Sequence, residues 1–228
     1  MNVARRIILA SLATIMFSLS TPIPSAAWSA SQQKLRSGKF QAHSACMMPP
    51  AARIVQFGFK GPRDLHQESD LWAGALEAFV ETHLRAADIS FVPAFAPLSS
   101  GASEDDVRQV LLQIDDRFSS ISKQLDKKPR EIEKSAYTLG DQVAMLPCSA
   151  TSDLLVFVRG SSDIREGAVL IVTMADAKSG EILAFIRLGS FDLTDPECGF
   201  LFDDDLSNIN LGSARKNAIA RDRDGVYR

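Results

Sequence analysis

What this sequence lacks narrows the chemistry open to it. It has no Gly-x-Ser-x-Gly, no Gly-x-Gly-x-x-Gly and no Walker loop, so a nucleophile elbow, a dinucleotide fold and an NTPase site have no motif to rest on. It has no His-x-x-x-His and no Cys-x-x-Cys, the spacings that commonly place zinc ligands. Histidine is scarce (His43, His66 and His83), and so is cysteine (Cys46, Cys148 and Cys198). Neither sign of charge dominates: 25 basic against 28 acidic side chains give a net charge of −3. A binder of nucleic-acid backbone needs a clustered basic face, so no nucleic-acid partner is expected. Beyond the first thirty residues no apolar run is long enough to span a bilayer, which takes about 20 residues.

The amino terminus, "MNVARRIILASLATIMFSLSTPIPSAAWSA", has the order of a secretory signal. Arg5 and Arg6 form the basic start, Ile7 to Leu19 the apolar run, and Pro22 and Pro24 break it. Ser25 and Ala27 suit the −3 and −1 positions for a cut after Ala27. Removing residues 1–27 takes away only Arg5 and Arg6 among charged side chains, leaving 201 residues with a net charge of −5. That length suits a single domain with its own core. We expect an exported protein of the periplasm or outer-membrane periphery of a Gram-negative bacterium.

In an oxidising compartment three cysteines suggest one disulfide and one cysteine left over, with three pairings open. Cys148 with Cys198 is favoured, because both lie beside prolines just outside the expected regular elements. Cys46, in "AHSAC", is then a free or intermolecular thiol or a site of lipidation. Ser44 and Ala45 suit an acylation motif; His43 does not.

Residues 28–50 show no steady period and read as a flexible leader closed by Pro49 and Pro50. "ARIVQFGF" (52–59) is a strand and "KGPRDLHQ" a loop. Leu71, Trp72, Ala75, Leu76, Phe79, Val80 and His83 then recur at helical spacing, with Ser69 as the expected N-cap. "ISFVPAF" (89–95) is a second strand. A capping-box serine, Ser103, opens a long helix with one apolar stripe: Val107, Val110, Leu111, Ile114, Phe118, Ile121 and Leu125. A third helix is expected from Pro129 through Ile132, Ala136, Leu139, Val143 and Leu146. "DLLVFVRG", "GAVLIVTMAD" and "EILAFIRLG" follow as three strands. In the middle one, Val169, Ile171 and Thr173 face one way and Leu170, Val172 and Met174 the other. Both faces are largely apolar, so it belongs at the sheet centre. The order β-α-β-α-α-β-β-β predicts an α/β (α+β) fold over 51–200. It comprises a mixed sheet packed by two or three helices and ending in an antiparallel meander. Residues 201–228 read as a partly disordered tail.

The meander resembles a known group. Asp153 leads a strand, and Asp176, Ser179, Gly180 and Glu181 form an Asp-x-x-(Thr/Ser)-Gly-Glu turn before the last one. This pattern, with "RIVQFGF" before a helix, resembles the periplasmic and outer-membrane proteins that include the TolB amino-terminal domain and the curli secretion lipoprotein CsgG. The likeness covers about 52–190. It implies a non-catalytic accessory or assembly module with an envelope protein as partner and no cofactor.

Among chemistry-bearing residues, His66 lies near Asp64 and Glu68, but two further ligands are wanting for a metal site. Ser161, Ser162 and Asp163 read as a hairpin turn. The acidic run Asp192, Asp195, Glu197, Asp203, Asp204 and Asp205 is the best calcium candidate, without EF-hand spacing. Two functions are carried forward. The first is a non-enzymatic exported binding or assembly module meeting its partner at the edge of the meander. The alternative is an exported hydrolase using carboxylates or His66. A dimer joined through Cys46 is a third reading.

Overall fold

A computed structural model describes residues 28–93, 104–163 and 167–189. The fold is mixed α/β, with an eight-stranded sheet and helices on both faces. Its centre is the expected meander. Strands β6 (Leu154–Asp163), β7 (Gly167–Asp176) and β8 (Ile182–Gly189) pair antiparallel in sequence. Both faces of β7 are buried, as its two apolar sets predict. Leu170, Val172 and Met174 enter one core, with α2 (His66–Ala86) over it. Ile171 and Ala175 enter the other, beneath α3 (Glu104–Lys127). The α3 stripe packs as expected: all seven of its apolar residues are buried.

Residues 28–50 are not a flexible leader but part of the sheet. Strand β1 (Trp28–Ser31) pairs antiparallel with β8, so the edge of the meander, expected as a partner surface, is already occupied. Helix α1 (Gln33–Arg36) buries Leu35 completely, and Gln32 Nε2 donates to the Ile182 carbonyl at 2.9 Å. Strand β2 (Ser44–Met47) lies parallel between β6 and β5 (Ser90–Pro93). The elements are too short to show a period, and a strand buried on both faces reads as an apolar run without alternation.

The stretch expected as one strand and a loop is a β-hairpin, β3 (Ala51–Gly58) and β4 (Gly61–Asp64). Only the start of β3, Ala51–Ile54, joins the main sheet, parallel to β6. Thus β2 and β3 run one after the other along β6, with Pro49 and Pro50 between them. Strand β5 pairs with β2, not with the strand over 52–59.

The third helix is not formed. Residues 129–150 hold three 3-10 turns, Pro129–Glu133, Asp141–Met145 and Pro147–Ala150. The backbone between the first two pairs with the β7–β8 turn instead of with itself: Leu139 N–H donates to the Gly180 carbonyl and Ile182 N–H to the Tyr137 carbonyl, each 2.8 Å. Ile132, Leu139, Val143 and Leu146 are nevertheless buried, and only Ala136 of the expected set is exposed. Tertiary pairing here overrides a helical apolar spacing. Ser69 is inside α2 rather than its cap; its hydroxyl donates to the Leu65 carbonyl (2.6 Å) and accepts the Ile54 N–H (2.9 Å), tying helix to hairpin. Ser103 lies outside the described residues.

Thr173 is fully buried in β7, opposite Phe157 and Phe185, and among the described residues its Oγ1 has no hydrogen-bond partner. A buried hydroxyl without a partner costs roughly 1–3 kcal/mol. Thr173→Val keeps the shape and removes that cost. We expect the melting temperature to rise by about 2–4 °C. A fall on calorimetry would mean the hydroxyl does have a partner.

Candidate functional site

Cys46 lies in β2 and Cys148 in the third 3-10 turn; the two form a disulfide with Cα atoms 5.9 Å apart. This corrects the expected Cys148–Cys198 pairing. It also corrects Cys46 as a lipidation site or a free thiol, and with it the dimer through Cys46. Cys46 is fully buried on an interior strand of the sheet, facing the α3 side, where Cys148 lies in the same core. An acylated cysteine would have to begin the mature chain, but residues before Cys46 form β1 and α1. Cys198 lies outside the described residues, as do Asp192, Asp195, Glu197, Asp203, Asp204 and Asp205.

The aspartates of the resemblance have structural work. Asp153 precedes β6 and ties it to β2. Its Oδ2 accepts the His43 N–H (2.9 Å), the Ser44 N–H (3.2 Å) and the Ser44 hydroxyl (3.1 Å). Partial burial pushes this carboxyl up; the three hydrogen bonds outweigh it and hold it below its ordinary value. Asp176 Oδ1 accepts the N–H groups of Lys178 (2.8 Å) and Ser179 (3.2 Å), and its carbonyl accepts Gly180 N–H. Gly180 has φ +69°, as the turn requires.

A carboxyl depressed in the folded state contributes stability that is complete above its unfolded pKa, about 3.9. That contribution is lost as pH falls through the folded value. Asp153→Ala should therefore cost about 2 kcal/mol at pH 7, as expected for hydrogen bonds to a charged group. The gap should narrow below about pH 4. Urea unfolding at pH 7 and pH 3 checks this; an equal gap at both would remove the charge from the account.

The remaining candidates do not converge. His66 is exposed in the first turn of α2. Of the two acids nearest it in the sequence, Asp64 is engaged by Arg53 (Nε at 2.9 Å, Nη2 at 3.4 Å). That hydrogen bond holds the exposed Asp64 carboxyl below its ordinary value, with a smaller pull from His66. His83 is half-buried against Phe79, ring centroids 4.4 Å apart. Ser161, Ser162 and Asp163 are not a turn; they continue β6, opposite Val169, Ala168 and Gly167. Among the described residues no three His, Cys, Asp or Glu side chains gather into a cation site. One open groove of about 530 Å³ is lined by Arg117, Thr138, Gly140, Asp141, Gln142 and Met145. There Arg117 Nε donates to the Thr138 carbonyl (2.8 Å), so the groove's cation is tied to its own wall.

The feature the sequence reading missed is the tip of the β3–β4 hairpin. Phe59 is fully exposed, at 114% of its reference area, and Phe57 is 43% exposed. The chain reverses over Phe59 and Lys60 between the paired Gly58 and Gly61, with φ +99° at Gly61. A tight turn has no use for phenylalanine; such positions favour Gly, Asn or Asp. Among the described residues nothing lies within 4 Å of where a Cβ on Gly58 or Gly61 would sit, so the tip stands clear of their packed body. The signal was Gly58-Phe59-Lys60-Gly61, a two-residue connection flanked by glycines between two short extended runs.

The chain is thus an α/β sandwich, closed by a buried disulfide, with an apolar hairpin standing off its sheet. No protein-family model matches it. No curated protein matches it. Among solved structures it is similar to the PelC dodecamer from Paraburkholderia phytofirmans, at 10% identity and a TM-score of 0.39, covering 82% of this chain and 97% of that one. A single-substitution variant of that dodecamer gives 10% identity, a TM-score of 0.37, and coverage of 81% and 96%.

Proposed function

We propose that this is an exported cell-envelope protein, a non-catalytic binding or accessory module that works through its β3–β4 hairpin. The observation that carries the reading is the exposed tip. Phe57 and Phe59 fill no core and serve no turn, and large apolar side chains grouped in water mark interaction sites. The compartment is supported by the signal-like amino terminus and by the Cys46–Cys148 bond, since disulfides persist in oxidising surroundings. The resemblance over 52–190 implies the same kind of role.

The test is site-specific photocrosslinking in a Gram-negative host expressing the full chain. A photoreactive residue in place of Phe59 should give protein or lipid adducts in the envelope fraction. The same residue in place of Gln113, exposed on α3, should give none. Equal labelling from both positions, or none from 59, would remove the hairpin as the working surface.

A further inference from the structure

The geometry points to an anionic lipid bilayer as the surface the hairpin tip docks on, an inference that rests on the binding-module reading above. Two exposed phenylalanines lie within the same short hairpin as two cations, Phe57 and Arg63 on opposite faces of the ribbon and Phe59 and Lys60 at its turn. Lys60 sits in the turn beside Phe59, and Arg63 is in β4; both are exposed. Among the described residues neither has a carboxylate within ion-pair reach, whereas Arg53 at the hairpin's base is held by Asp64. Residues 51–64 carry three basic side chains and one acidic one, in a chain whose net charge is −3. The positive charge is therefore local to the tip. The next acids, Glu68 and Asp70, belong to the first turns of α2.

Aromatic rings beside Lys and Arg match the two layers of an anionic membrane surface. Rings enter the boundary between headgroups and acyl chains, while cations stay among the phosphates. Insertion must be shallow. The tip pairs Phe57 with Pro62 and Gly58 with Gly61, but among the described residues its outer backbone edges have no partners, and hydrocarbon tolerates no such edge. Headgroups and interfacial water can satisfy those edges; the bilayer core cannot.

A second copy of the chain fits less well. Pairing through the free edge of β4 is blunted by Pro62, which has no N–H, and by the like charges of Lys60 and Arg63. These are devices that edge strands use against pairing.

The experiment is vesicle co-sedimentation of the processed chain purified from a host envelope. One set of vesicles mixes phosphatidylglycerol with phosphatidylethanolamine; the other is phosphatidylcholine alone. Wild type should partition onto the anionic set, more weakly onto the neutral set, and less in high salt. Phe57→Ser with Phe59→Ser should weaken anionic binding at least about tenfold. Lys60→Ser with Arg63→Ser should weaken it by about fivefold per charge. Because these side chains are outside the core, the melting temperatures should not move.

No partition of wild type onto anionic vesicles overturns the inference, and so does binding that survives loss of both phenylalanines. Sedimentation velocity without lipid supplies a further arm: a dimer that the double serine variant dissolves would make a second copy the occupant and overturn it. Crosslinks from position 59 to protein, with no vesicle binding, would sink the lipid inference while leaving the binding-module reading standing.

Discussion

Replacing Cys46 and Cys148 by alanine together should destabilise the protein by about 2–5 kcal/mol, the usual range for losing a native disulfide. The bond closes a loop of 102 residues, and in the chain-entropy picture a loop near that size is worth roughly 4.7 kcal/mol. Small domains have only about 5–15 kcal/mol in total, so the loss is a large share of what holds the fold. The location adds to it. Cys46 lies between its two flanking strands, and Cys148 on the last 3-10 turn before β6. The bond therefore fastens the irregular 129–150 segment to an interior strand of the sheet. Either single alanine variant should behave like the double, since one remaining thiol makes no bond. On scanning calorimetry the double variant should melt about 10 °C lower, at 2–4 °C per kcal/mol for a domain of this size. Wild type with reductant should approach it once Cys46 is exposed by unfolding. A double variant melting within about 2 °C of wild type would show that the bond adds nothing to the folded state.

The same disulfide shows where the sequence could be read and where it could not. Strands β6 and β7 each run for ten residues, and in β7 both faces are apolar, so centrality followed from the pattern. The α3 stripe spans several turns and identified its buried face correctly. Strand β2 is four residues long; Ala45, Cys46 and Met47 are all buried, giving neither alternation nor a helical repeat. With β2 unrecognised, Cys46 looked remote from the core, and Cys148 was assigned the wrong partner. In 129–146 the buried residues were right and the backbone wrong, because side-chain spacing cannot reveal that Leu139 and Ile182 exchange local bonds for tertiary ones. The hairpin tip failed for another reason. Phe57 and Phe59 have the character of core residues, and whether an aromatic is buried depends on what the fold places over it. Here, among the described residues, neither ring joins a core cluster: Phe59 is fully exposed and Phe57 partly so.

Phe118→Ala is expected to cost about 3–5 kcal/mol, the range for truncating a buried phenylalanine. Phe118 is 1% exposed on α3 and stacks on Phe157 of β6, itself 1% exposed, with ring centroids 4.3 Å apart and planes 14° from parallel. The pair joins the helix layer to the middle of the sheet. Arg159, also on β6, lies with its guanidinium carbon 5.2 Å from the Phe118 ring centre and ion-pairs with Asp115 one turn earlier. Removing the ring thus opens a cavity, ends a stacking contact and takes away the surface beneath a half-buried cation. Leu112→Ala is the control: it is on the same helix but 62% exposed, and should change stability by less than about 0.5 kcal/mol. A double-mutant cycle with Phe157→Ala separates the stacking from simple burial. Its coupling should be about 0.5–1.5 kcal/mol, the part that aromatic geometry adds beyond area. If Phe118→Ala and Leu112→Ala shifted urea midpoints equally, α3 would not be packed on the sheet as a layer. The reading of this chain as a sandwich with its working surface outside the core would then have to be abandoned.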